Sequence, residues 1–188
     1  MKDIITKRFK ESIRVKEETL LSQCDNIARC AEEIIRALKS NHKILFFGNG
    51  GSAADSQHIA AELIGRFQKE RRSLPAIALT TDTSILTALG NDYGFDSIFK
   101  RQIQGLGQKG DVAVAISTSG NSKNVIEAVL EAKKMGIKTL GFTGGNGGKL
   151  AGLCDVCVIV PSSVTARIQE AHICIFHTIC ELAEEESS

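Results

Sequence analysis

Five short apolar runs, each followed by a stretch that reads as helix, constrain the fold of this chain more than any other feature. They are Lys43–Phe47, Pro75–Thr80, Asp111–Ile116, Ile137–Phe142 and Cys154–Val160. Runs of this length suit strands buried on both faces better than buried helices. Parallel strands need a crossover between them, and a helix is the usual one. The alternation therefore predicts an α/β fold, a doubly wound five-stranded parallel sheet covered on both sides. Two amphipathic helices precede the first run, from about Asp3 to Leu21 and from about Asp25 to Lys39. The first carries Ile4, Phe9, Ile13 and Leu20 among its apolar positions. With no strand ahead of them, these helices can pack only on the later sheet or on another subunit. No linker or short repeat divides the 188 residues, so one domain is expected, with N-terminal helices over 1–40 and an α/β core over 41–188.

Between the first strand and its helix lies Gly48-Asn49-Gly50-Gly51-Ser52, and the helix runs on through Asp55, His58 and Glu62. Glycines there let the backbone reach positive φ and let a ligand approach the main chain. Ser52 with Asp55 three residues on has capping-box spacing. Free N–H groups at such a helix start attract an anion or a polarised oxygen. His58 and Glu62 are four apart and share a helix face. An ordinary surface pair has the same spacing. Gly48-x-Gly50-x-x-Ala53 also matches a relaxed dinucleotide fingerprint, but the acid expected about twenty residues on is not cleanly present: Glu70 sits in a charged run before the next strand.

Further along, Thr80–Ser84 is rich in helix caps. A short helix should end at Gly90, before a polar loop Asn91-Asp92-Tyr93-Gly94. The third strand leads into Ser117-Thr118-Ser119-Gly120-Asn121-Ser122, four hydroxyls and several backbone N–H groups at a helix start. Phosphate needs many donors, and this pattern supplies them without a cation. A plain capped turn uses the same residues. No G-x-x-x-x-G-K-[ST] is present, which argues against a Walker-type nucleotide hydrolase. In doubly wound sheets ligands collect beyond the carboxyl ends of the strands, so the glycine turn and the hydroxyl loop should face one crevice.

Composition removes several classes. With 23 basic and 22 acidic residues and no Trp, neither nucleic-acid binding nor a membrane-surface role is expected. No run approaches the roughly 20 apolar residues a bilayer span requires. The N-terminal residues lack a signal-peptide core, so the expected location is cytoplasmic. The six cysteines read as reduced, buried structural thiols, since Cys154-x-x-Cys157 opens a strand and has no second ligand pair.

Taken together, Gly48–Glu62, Thr80–Asp92, Ser117–Ser122 and Arg167–His177 resemble the phosphoheptose isomerases of the sugar isomerase (SIS) superfamily. The series Gly-Asn-Gly-Gly-Ser…His…Glu, Gly-Asn-Asp, Ser-Thr-Ser-Gly-Asn-Ser and Arg-Ile-Gln-Glu…His carries the likeness over nearly the whole chain. The resemblance implies a flavodoxin-like SIS fold across residues 1–188. It also implies isomerisation of sedoheptulose 7-phosphate to D-glycero-D-manno-heptose 7-phosphate, feeding lipopolysaccharide or capsule, and a homotetramer whose N-terminal helices make subunit contacts. Carried over, Ser117, Thr118, Ser119 and Ser122 would hold the phosphate. Asn49, Gly50, Gly51 and Ser52 would line the sugar, with Asn91, Asp92 and Gln169 on its hydroxyls. Glu62, which also touches the sugar, and His177 would be the acid–base pair. His58, Glu62, Gln169 and His177 match positions that bind zinc in some relatives, and no nucleotide cofactor is implied. Ala166 departs from the Asp often found before the arginine, which removes any substrate contact from that position.

Ketose–aldose isomerisation needs a base over the reacting C–H and an acid near the carbonyl oxygen, and Glu62 and His177 are of those types. His172 lies about 140° round the same helix from His177 and reads as a packing or interface histidine. Two rivals remain: a non-catalytic SIS regulator that senses phosphosugars or binds a replication initiator, and a nicotinamide oxidoreductase. The first would be expected to lack Glu62 and His177; the second lacks its ribose acid.

Overall fold

The computed structural model describes residues 1–186. A helix α1 (Lys2–Lys39) leads into β1 (Ile44–Gly48), α2 (Gly51–Ile64), β2 (Ala76–Ala78), α3 (Thr83–Tyr93) and α4 (Ile98–Leu106). Then come β3 (Val112–Ile116), α5 (Lys123–Lys134), β4 (Lys138–Gly144), α6 (Leu150–Leu153), β5 (Val156–Val160) and α7 (Thr165–Glu185). All five expected strands form one parallel sheet in the order β2-β1-β3-β4-β5. The chain leaves β1 toward β2 and returns to its other side as β3. That reversal opens a crevice at the carboxyl ends of β1 and β3, where Gly48 pairs with Ile116.

Side-chain alternation divides the core. Ile44 and Phe46 of β1 face α1, α2 and α7, where Ile34, Leu38, Ile59, Leu63, Phe176 and Ile179 are buried. Leu45 and Phe47 face the opposite layer, against Ile98, Phe99, Ile103, Val125 and Val129 of α4 and α5. Every residue of β1 and β3 is buried, as strands covered on both sides must be. Phe176 anchors α7 to the sheet through Phe142, with ring centroids 4.4 Å apart, and Phe46, at 6.3 Å.

Four expectations need correcting. The N-terminal segment is one 38-residue helix, not two. Nothing in it breaks a helix: residues 1–40 contain neither glycine nor proline, and Ser22 simply returns its hydroxyl to the Glu18 carbonyl. Its second half covers the sheet, while Ile4, Phe9, Ile13 and Leu20 stay exposed along the rest. The helix expected to stop at Gly90 continues to Tyr93, because Asp82 caps it at Ile85 N–H and the stop is Gly94, at φ 82°. Asn91 and Asp92 are therefore helical rather than in a loop. Ser52 is not the N-cap of α2. Gly50 is, at φ 56°, and Gly51 is already helical, so Asp55 has no capping role. Finally, Cys24 and Cys174 are exposed, whereas Cys30 and Cys180 are buried and Cys154 and Cys157 half-buried.

Candidate active site

At the β1/β3 crevice the two polar loops meet. A hollow of about 290 Å³ is lined by Asn49, Gly50, Gly51 and Ser52 from the first loop and by Ser117, Thr118 and Ser122 from the second. Gln169 and Thr165 of α7 close it from above. Gln169 lies so near Gly51 that a Cβ there would stand 2.8 Å from its Cδ. Ser117 and Ser122 share a 2.9 Å hydrogen bond, and Ser122, the N-cap of α5, makes no side-chain bond to its helix. The start of that helix therefore presents N–H groups to the hollow without a competing side-chain acceptor from its cap.

The hydroxyl loop is held from behind. Thr118 carbonyl accepts from Gly144 N–H at 3.0 Å and Gly120 carbonyl from Leu150 N–H at 3.1 Å. Ser119 points elsewhere: its hydroxyl accepts from Asn121 N–H, and it lines a neighbouring hollow with Thr118, Asn146 and Ser162. A second tie escaped the sequence reading. Asn49 and Asn124 exchange two amide hydrogen bonds of 2.9 Å each, joining the glycine turn to α5. Asn124 is 2 % exposed. One asparagine in a helix's first turn gives no signal of this in sequence.

The titratable residues gather further along α2 and α7. His58 Nε2 lies 3.1 Å from Glu62 Oε1. The His58 ring meets His177 edge-on at 5.1 Å between centroids, and Phe67 packs against His177 at 5.5 Å. So His58, Glu62 and His177 come together, and Gln169 stands two turns back along α7 at the hollow. One turn before His58, Asp55 keeps Oδ2 buried without a partner. Its burial raises the carboxyl above its usual range, against the lowering pull of His58. Asn91 and Asp92 are not brought to this place; they are exposed at the end of α3 and bond to each other at 2.7 Å. His172 is buried, its Nε2–H donating to the Thr143 carbonyl at 3.1 Å, as a packing residue would. Among the described residues no three His, Cys, Asp or Glu side chains are disposed to hold a metal ion. Among those residues, too, no helix is long and apolar enough to cross a membrane.

A family profile for the SIS domain matches residues 8–144. A phosphoheptose isomerase from Aquifex aeolicus is 57 % identical over 185 residues, 98 % of this chain and 97 % of that protein. The chain belongs to the phosphoheptose isomerases. Another member, from Nitratiruptor sp., is 64 % identical over 80 % of this chain and 81 % of its own. The solved structure of the phosphoheptose isomerase GmhA from Neisseria gonorrhoeae superposes with a TM-score of 0.93 at 47 % identity, covering 98 % of each chain. The chain is thus an isomerase with the SIS fold.

Proposed function

We propose that this protein converts sedoheptulose 7-phosphate to D-glycero-D-manno-heptose 7-phosphate. The observation that carries the reading is a hydroxyl-lined hollow and a His58–Glu62–His177 cluster set in succession along one helix pair. Ser117, Thr118 and Ser122 hold the phosphate. Asn49, Gly50, Gly51, Ser52 and Gln169 line the sugar, and Asn91 and Asp92 meet its hydroxyls in the assembled enzyme. Glu62 takes a proton from C1 and returns it to C2, while His177 supplies a proton to O2 and accepts one from O1. The intermediate is an enediol, and no atom is gained or lost.

The reading extends to a zinc ion held by His58, Glu62, Gln169 and His177. Its support is the donor chemistry alone: imidazole and carboxylate are donors zinc takes, and His58 borders both Glu62 and His177, though the three are not arranged about a common point. When bound, such an ion would polarise the carbonyl oxygen. We further read residues 1–188 as one SIS domain in a cytoplasmic homotetramer, with the apolar residues left exposed on α1 as the subunit contact. The product would enter heptose supply for lipopolysaccharide or capsule.

Proton NMR of the purified enzyme with sedoheptulose 7-phosphate in D₂O tests the reaction. A new aldose signal with solvent deuterium at C2 is expected. Bound phosphosugar with no product would sink the proposal. Parallel samples with zinc and with chelator, with metal content measured in each, decide the ion: equal turnover in the metal-free sample removes it.

A further inference from the structure

Two turns beyond His177 on α7, Glu184 is buried to 1 % exposure. Its carboxylate accepts three successive backbone N–H groups, Phe67 at 3.0 Å, Gln68 at 2.8 Å and Lys69 at 2.7 Å. It also faces the Arg71 guanidinium, with Nε 3.3 Å from Oε1 and both side chains almost fully enclosed. Burial raises this carboxyl, but the three N–H groups and Arg71 outweigh it and hold it below the usual range. Arg71 in turn caps the end of α2. It donates to the carbonyls of Glu62 at 2.8 Å, Leu63 at 3.0 Å and Gly65 at 3.2 Å. A cation at a helix C-terminus is favoured by the unsatisfied carbonyls there.

The pair grips both halves of the acid–base cluster. Arg71 holds the main chain of Glu62. Glu184 holds the main chain of Phe67, whose ring lies on His177 at an interplanar angle of 32°. We propose that Arg71 and Glu184 are positioning residues for the isomerisation, a buried brace that fixes where Glu62 and His177 stand relative to each other. This rests on the acid–base reading of Glu62 and His177. A buried ion pair is weak evidence of stability, because desolvating two charges offsets their attraction. Here the bonds go to the backbone of one reacting residue and to the ring support of the other. That distribution suits placement.

The test uses the full-length enzyme with Glu184→Gln, Phe67→Leu and Glu62→Gln, each checked for folding by circular dichroism. Phe67→Leu removes the ring from His177 and leaves the backbone N–H on Glu184. If the brace positions the pair, kcat falls by roughly 10²-fold in Glu184→Gln, the scale of a misplacement near 1 Å, with a smaller fall in Phe67→Leu. KM stays within about threefold in both, because the hollow two turns away is untouched, and the kcat–pH profile shifts. Unchanged kcat and pH profile in folded variants would overturn the brace. Should Glu184→Gln fail to fold, Phe67→Leu decides alone: wild-type kcat there overturns it. Glu62→Gln separates the two ideas. Turnover in that variant overturns the acid–base reading and the brace with it. A dead Glu62→Gln beside a wild-type Phe67→Leu overturns the brace only.

Discussion

Replacing Gly51 by alanine should leave the fold standing and damage the site. Gly51 is the first residue of α2 and is not among the positive-φ glycines, so a side chain there meets no backbone strain. The Cβ would stand 2.8 Å from Gln169 Cδ and closer still to its Nε2. Carbon–carbon contact is comfortable at about 3.5–4.0 Å, so the amide has to retreat by roughly 1 Å. Gln169 can do so at the cost of an off-rotamer torsion, about 0.5–1.5 kcal/mol. Alanine for glycine in compatible backbone gains about 0.4–1 kcal/mol by restricting the unfolded chain. The two nearly cancel. At about 2–4 °C per kcal/mol for a chain of this size, Tm should remain within roughly 4 °C of wild type. Activity has no such compensation. Moving a substrate-positioning amide by about 1 Å costs on the order of 10²-fold, and that loss in kcat/KM for sedoheptulose 7-phosphate is the expected result. Gln169→Ala made on top of Gly51→Ala should add little, since the first change has already displaced the group the second removes. Wild-type kcat/KM in Gly51→Ala would refute the assignment of Gln169 to the sugar. A fall in Tm well beyond that window would show instead that Gly51 serves the fold.

The amide exchange between Asn49 and Asn124 sets a second expectation: Asn124→Ala leaves Asn49 without its partner and should cost about 1–3 kcal/mol in urea denaturation. It should also raise KM, because the glycine turn loses its tie to α5; an unchanged KM would separate that turn from substrate binding. His172 sets an acid-stability limit. Burial pushes its pKa down to about 4 from 6.5, so the unfolded chain takes the proton before the native one does. Stability contributed by the neutral ring is intact above pH 6.5 and falls as pH drops. The loss levels off near pH 4 at roughly 3 kcal/mol. Urea denaturation between pH 4 and 7 should show this slope, and His172→Gln should lack it; the same slope in both would assign it to other groups.

The strands and the two polar loops were legible because they obey short-range rules. A run such as Ile44–Phe47 has one reading when glycine follows it, and all of these residues are buried on arrival. What escaped notice depends on partners distant in sequence. Gly90 is a reasonable helix stop by itself, yet Asp82 and Gly94 place the ends of α3 and the intervening turns carry through. Ser52 has a capping sequence, but positive φ at Gly50 starts the helix earlier. Arg71 belongs to a charged run that looks solvated, and Glu184 to an acidic tail. Only the packing of α7 against α2 shows that both are enclosed. Cys24 and Cys174 erred the other way, as small apolar residues on helices whose facing sides do not fully close.

The separation of the two parts of the site follows from how α7 crosses the sheet. Gln169 reaches the hollow at the carboxyl ends of β1 and β3, and His177 reaches the far end of α2. Eight residues at 1.5 Å each put about 12 Å of helix between them. Under the proposed assignment the phosphate and the reacting carbons occupy opposite ends of that interval. A phosphosugar that carries its phosphate on the last carbon and reacts at the first two needs such a separation. One rigid helix supplies it, anchored in its middle by Phe176 on Phe142 and at its end by Glu184 on the loop after α2. Binding energy gathered at the hydroxyl loop can then be used to hold C1 and C2 against Glu62 and His177.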